Sequence, residues 1–185
     1  MRTALIVGGT GNIGRAVAAE LGAREPTRLA IAYGSDDDAG ERAAAELREA
    51  GHEALRVRAD VTSDAGLAAV AGLVDREFAG RLDVLVYSAV SRILQPPLEM
   101  PPEQWTRSLD VTLTGFVRCV QRLAPAHPNG GRVLAISGIS GLRVISDVHL
   151  AMGAAKAGLH QAVRYLATSS HPAASTSTAS AWARS

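Results

Sequence analysis

The stretch Val7-Gly8-Gly9-Thr10-Gly11-Asn12-Ile13-Gly14 constrains this chain more than any other. It follows a short apolar run, Ala4-Leu5-Ile6-Val7, and opens an alanine-rich helical pattern from Arg15 to Leu21. A strand, a glycine turn and a helix start bring free backbone N–H groups and the positive end of a helix dipole to one point, a ready-made site for an anion. Glycines permit the tight turn and the close approach of backbone to a pyrophosphate. The spacing is Gly8-x-x-Gly11-x-x-Gly14 rather than G-x-G-x-x-G. Any tight strand-to-helix turn can use such a run. Its place directly after an N-terminal strand is what points to a nucleotide.

The rest of the chain repeats the alternation. Leu29–Tyr33, Ala54–Arg58, Leu82–Tyr87 and Gly131–Ser137 read as further strands. Between them lie helical patterns at Ala39–Ala50, Asp64–Phe78, Pro102 to about Pro125, and a segment containing Lys156 that reaches Thr168. Asp38 is expected to cap the Ala39–Ala50 helix and Gly51 to end it. Near-continuous apolar strands suit a parallel sheet covered on both faces. The fold class expected is therefore α/β, a Rossmann-like doubly wound parallel sheet.

The 185 residues suffice for one domain with a real core. The net charge of +1 offers no footprint for nucleic acid or an acidic membrane. Cys119 stands alone in an apolar helical pattern, so it reads as a small buried hydrophobe, with a catalytic thiol as the alternative. No segment approaches the roughly 18 apolar residues of a membrane span, and with Met1-Arg2-Thr3 running straight into a strand no signal peptide is expected. A cytoplasmic location and no metal site are expected.

Several further pieces resemble the short-chain dehydrogenase/reductase family, over about residues 3–168. Ala59-Asp60-Val61-Thr62 looks like its adenine-contacting turn. Leu85-Val86-Tyr87-Ser88-Ala89-Val90 stands where the family has Asn-Asn-Ala-Gly. Asp110-Val111-Thr112-Leu113-Thr114-Gly115 looks like its Asp-Val-Asn-Leu-x-Gly, and Gly131–Ser137 like the strand that ends in a catalytic serine. Met152–Leu159, continuing through Val163–Ala167, is similar to the enoyl-acyl-carrier-protein reductase branch.

The resemblance implies hydride transfer between NAD(P)H and a carbonyl, hydroxyl or activated alkene. A tyrosine would supply the proton, and a lysine would bind the nicotinamide ribose and lower the tyrosine pKa as a nearby cation. It implies a pyrophosphate held by Gly8, Thr10, Gly11, Asn12, Ile13 and Gly14, and an adenine beside Asp60 and Val61. Ser35, Ser88, Ala89 and Lys156 are further expected cofactor contacts. Lys156 is present, but the family tyrosine is not: four residues earlier stands Met152, and at the enoyl-reductase spacing, seven earlier, stands His149. A thioether donates no proton, whereas an imidazole does near neutral pH. His149 is thus either the replacement acid or an ordinary loop histidine. Ser137 is either the substrate-orienting serine, with Gly138 and Ser140 in nearby register, or a strand-end cap. Thr112 stands for the family asparagine, Asn12 for the second glycine of the common loop pattern, and Ser88 and Val90 for Asn and Gly. No acid ends the Leu29–Tyr33 strand, which continues Gly34-Ser35 before Asp36–Asp38. Arg15 is either a 2′-phosphate ligand or a solvated helix residue. NADP(H) is slightly favoured over NAD(H).

From Ser169 to Ser185 the composition switches to Ser, Thr and Ala, with no Val, Ile or Leu. The expected division is a domain over 1–168 and a disordered tail over 169–185. The resembled family would continue with roughly Glu-Leu-Ala-Pro-x-Gly-Ile-x-Val-Asn. Written in GC-rich codons, such a continuation becomes Thr-Ser-Ser-His-Pro-Ala-Ala-Ser-Thr-Ser, the residues 168–177, on deletion of a single base after the Thr168 codon. A frameshift after Thr168 is therefore expected, with a naturally low-complexity tail as the alternative. The sheet would be truncated after its fifth strand and following helix, leaving Arg132–Ser137 as an open edge.

Two functions fit. One is an NAD(P)(H)-dependent oxidoreductase acting on a small-molecule, acyl-thioester or polyketide-like substrate. The other is a catalytically inactive dinucleotide-binding protein or subunit. Leu109, Leu113, Phe116, Val117 and Val120, with Leu159, Ala162, Val163 and Leu166, form apolar helical faces that, by the resemblance, pack against a second subunit. A homodimer or larger assembly is expected.

Overall fold

The computed structural model describes residues 1–128 and 131–168, and the backbone of 174–180. Six parallel strands form one sheet in the order β3-β2-β1-β4-β5-β6. The elements run β1 (Arg2–Val7), α1 (Asn12–Arg24), β2 (Thr27–Tyr33), α2 (Asp37–Glu49), β3 (Ala54–Arg58), α3 (Asp64–Glu77), β4 (Val84–Tyr87), α4 (Pro102–Leu109), α5 (Gly115–Leu123), β5 (Gly131–Ser137), α6 (Leu150–Thr168) and β6 (Ala174–Ser180).

Successive residues of β1 serve opposite faces. Leu5 and Val7 belong to the core shared with Val70 of α3, Phe116 and Cys119 of α5, and Leu159 and Val163 of α6. Ala4 and Ile6 belong to a second core with Ala18 of α1 and Ala43, Ala44 and Leu47 of α2. All four residues are essentially inaccessible, which is why the strand is apolar throughout Ala4–Val7. β1 pairs with β2 on one side and β4 on the other, so the chain reverses its direction of growth across the sheet between them. In a doubly wound sheet that reversal opens a crevice at the carboxyl ends of the strands.

The expected α/β class stands, with three local corrections. The α2 cap is Asp36, whose carboxylate accepts the Ala39 N–H at 2.8 Å, while Asp38 lies inside the helix. At the other end Gly51, at φ +86°, sends its N–H to Arg48 O and lets His52 N–H reach Leu47 O, closing the helix as anticipated. The expected helix from Pro102 to about Pro125 is broken. A wide turn, Asp110–Thr114, separates α4 from α5, and Gly115 N–H reaches back five residues to Asp110 O. Last, β5 is not an edge. β6 pairs along it in register from Gly131↔Ala174 to Ser137↔Ser180, taking up the backbone groups of the strand. The expected disordered tail is thereby corrected for 174–180, where the ladder needs only backbone; 169–173 and 181–185 lie outside the described residues.

Candidate functional site

The glycine turn is built by exclusion. Gly8 sits at φ +82°, and a Cβ on it would lie 2.6 Å from Ala89 N of the segment after β4. A Cβ on Gly14 would run into the Gly8 carbonyl oxygen, with Gly9 Cα at 2.9 Å. The turn is tied down because Gly8 and Gly9 N–H both donate to Ala32 O, at 2.9 and 3.1 Å. Gly11 occupies the N-cap of α1 and has no side chain to turn back onto the helix, and the first turn carries no acid. The opening N–H groups of α1 and its dipole therefore meet no internal anion, the arrangement that binds phosphate.

This turn forms one wall of a cleft of about 810 Å³ at the sheet's reversal point. Of the expected contacts, Gly8, Thr10, Gly11, Asn12, Ile13, Ser35, Asp60, Val61, Ser88 and Ala89 line it. Gly14 is buried just behind it. Arg15 is elsewhere: its guanidinium pairs with Glu46 of α2 at 2.7 Å, and it does not line the cleft.

Three arginines that sequence reasoning passed over, Arg58, Arg92 and Arg107, do line it. Arg58 was legible in principle, since it directly precedes the Ala59-Asp60-Val61 turn. It stands beside Tyr33 in the β2–β3 ladder and pairs with Asp37 at 3.1 Å. Asp37 also accepts the Tyr33 hydroxyl at 2.8 Å. Asp60 is partly committed to its own turn. Its Oδ1 accepts the Thr62 N–H and hydroxyl at 2.9 and 2.7 Å, which holds its pKa below the usual carboxylate range, and Arg107 lies 3.7 Å from Oδ2.

None of the expected catalytic residues, Lys156, Ser137 and His149, lines the cleft; Lys156 and Ser137 stand at the end of β5. Lys156 is buried on α6 and donates to Ile136 O at 2.5 Å; burial pulls its pKa down to about 8. The next residue, Ser137, is buried with no hydrogen-bond partner for its Oγ, so it does not cap the strand. His149 is half-buried just before α6, with its Nδ1 3.0 Å from Ser146 Oγ, and its carbonyl accepts the Gly153 N–H. Thr112 is fully buried in the wide turn and accepts the N–H of Ser91, a cleft residue, at 3.4 Å. Cys119 is buried and its thiol pushed up to about 12, the state of a packing residue rather than a nucleophile.

A helix start without an internal anion, an adjoining crevice at the strand-order reversal and a glycine cradle define an α/β protein of the doubly wound, Rossmann-like class. The chain belongs to the short-chain dehydrogenase/reductase family: the family profile described as enoyl-(acyl carrier protein) reductase matches residues 8–176. It is 30% identical over 171 residues to 1-cyclohexenylcarbonyl-CoA reductase of Streptomyces collinus, covering 92% of this chain and 60% of that protein. Among solved structures, a short-chain dehydrogenase/reductase from Serratia marcescens superposes with a TM-score of 0.88 at 25% identity, covering 96% of this chain and 72% of the other. The angucycline C-6 ketoreductase LanV with bound NADP superposes at 0.82 with 29% identity, covering 90% and 65%. The chain spans about three fifths of the curated relative's length. Among the described residues no helix is long and apolar enough to cross a membrane.

Proposed function

We propose that the chain acts as an NAD(P)(H)-dependent oxidoreductase of the short-chain type, reducing a carbonyl or enoyl group on an acyl-thioester or polyketide-like substrate in the cytoplasm. The observation that carries this reading is the glycine cradle: Gly8 and Gly14 each leave no room for a side chain, and the start of α1 meets no internal anion. Residues Gly8 to Gly14 would hold the pyrophosphate, and Asp60 and Val61 the adenine. Arg58 and Ser35 line the same end, and we assign them, in place of Arg15, to the 2′-phosphate of NADP(H). A reduced nicotinamide supplies hydride when bound. Lys156, with a pKa near 8, keeps its proton at neutral pH and can give a cation to the ribose hydroxyls. The unpartnered Ser137 hydroxyl orients a substrate oxygen, and His149 holds the proton that oxygen or carbon receives.

The binding-only reading is favoured by one observation. Met152 stands in the tyrosine position, and Lys156 is turned to Ile136 O rather than into the cleft. Oxidation of NADPH and NADH with crotonyl and acetoacetyl thioesters separates the two. Turnover lost in Lys156→Ala and His149→Ala supports the enzyme. No turnover above the Lys156→Ala background supports binding alone.

Self-association belongs to the same proposal. Leu109, Val117 and Val120 remain half-buried on α4 and α5, and further apolar side chains are exposed at Leu94, Leu98, Leu142 and Val144. Burying such surface is worth roughly 25 cal/mol per Å² before association costs. Light scattering over a dilution series should show a dimer or larger; a compact, cooperatively melting monomer at low micromolar concentration contradicts it.

A further inference from the structure

The wide turn Asp110–Thr114 interrupts what would otherwise be one helix, and it has an identifiable builder. In an α-helix Gly115 N–H would bond to Val111 O; here it goes to Asp110 O. The Val111 carbonyl, deprived of that donor, accepts the hydroxyl of Tyr87 at 2.5 Å. Tyr87 comes from the carboxyl end of β4, is 1% exposed, and packs edge-on against Phe116 with ring centroids 5.5 Å apart. Burial raises its pKa well above the usual value, so the hydroxyl keeps the proton it donates. The approach requires a glycine. A Cβ at 115 would lie 2.5 Å from the Tyr87 hydroxyl and 3.0 Å from both Asp110 O and Val61 Cγ2.

Three consecutive residues of the turn then reach three parts of the site. Val111 lines the cleft. Thr112 accepts the N–H of Ser91, another residue of the cleft lining. Leu113 packs against Gly158 of α6, where a Cβ would meet its Cδ2 at 2.7 Å, two residues beyond Lys156. A regular helix would rotate these side chains away from their partners, because each residue added per turn shifts every later position.

We infer that Tyr87 is a positioning residue: by capping Val111 O it holds the wide turn that sets the Ser91 wall and the seat of α6 at the nicotinamide end of the cleft. The inference rests on the dinucleotide reading. The turn's far contacts are Ser91 and α6, while the Asp60 turn given to the adenine is closed by its own bonds to Thr62, so the inference predicts a split between ligands.

The test titrates NADPH against 2′,5′-ADP, and NADH against ADP, on the full chain. Tyr87→Phe keeps the ring and its packing. It should weaken binding of the dinucleotide the wild type prefers by about tenfold, the scale of an orphaned buried carbonyl, and leave the adenosine probe unchanged. Thr112→Val should give the same split if Tyr87→Phe fails to fold. Gly115→Ala should weaken the dinucleotide more in the wild-type background than in Tyr87→Phe, where the clashing hydroxyl is gone. Equal losses for dinucleotide and adenosine probe, or no loss in either variant, overturn the positioning role. A wild-type chain that binds only the adenosine probe also overturns it, while binding of no probe overturns the dinucleotide reading itself.

Discussion

Gly11 and Gly14 are glycines for different reasons. Gly14 is fixed by the fold, since any Cβ there strikes the Gly8 carbonyl and the Gly9 backbone. Gly11 has ordinary room, its nearest neighbour being Gly8 O at 3.5 Å, and φ −75° suits any residue. Gly14→Ala should therefore destabilise by about 2 kcal/mol or more through overpacking. Gly11→Ala should cost less than about 1 kcal/mol, yet weaken dinucleotide binding about tenfold by crowding the first N–H groups. Thermal melting and titration of both variants check this; equal melting losses contradict it. Lys156 makes a second prediction. Burial lowers its pKa from 10.5 to about 8. Between those values the unfolded chain holds the extra proton, so this residue's contribution to stability rises with pH across that window. Below pH 8 the charged form is buried at a cost. Lys156→Met should be more stable than wild type at pH 7 by up to about 3 kcal/mol, and the gap should close towards pH 10.5. Urea unfolding at a series of pH values measures it. A gap independent of pH would show that the lysine is not desolvated.

At the scale of elements, α2 carries a sharp test, because three consecutive aspartates compete for its start. Asp36 makes the cap bond and Asp38 makes none. Asp36→Ala should cost about 1 kcal/mol and Asp38→Ala only a few tenths, read by chemical denaturation. The reverse order would place the helix start two residues later. Such choices are hard to see in a sequence, since all three side chains have the same chemistry and only the entry of the chain selects one. Strands were easier. Strands buried on both faces are apolar in runs, as Ala4–Val7, Leu29–Tyr33 and Val84–Tyr87 show, whereas β3 alternates, with Arg56 and Arg58 among its apolar residues. The trimmed start of β4 reflects Leu82, whose N–H leaves the ladder for Ala126 O. The wide turn before α5 was invisible because its cause, the Tyr87 hydroxyl, arrives from another strand. β6 was invisible for the opposite reason: a Ser/Thr/Ala segment has no apolar alternation, and it joins the sheet through the backbone acceptors and donors of β5.

For the whole molecule, the sheet order places one end of the site better than the other. The residues expected to meet a pyrophosphate and an adenine converge on one cleft because the reversal between β1 and β4 brings the glycine turn, the Asp60 turn and the Ser88 segment to the same edge. That convergence was legible from motif spacing. The cleft's arginines were not, because an exposed Arg on a strand end or helix looks like solvated surface until its neighbours are known; for that reason Arg15, which pairs with Glu46 away from the cleft, reads from the sequence as a candidate contact and Arg58, which lines the cleft, does not. Lys156 and Ser137 do not line the cleft, so dinucleotide binding comes first, and any hydride chemistry depends on it. Titration calorimetry of the chain with NADPH, NADP, NADH and NAD measures that binding. Saturable one-to-one binding is expected, tighter for NADP(H) than NAD(H), with that preference reduced about tenfold in Arg58→Ala, the scale of one charge-assisted contact. No binding of any of the four dinucleotides would contradict it.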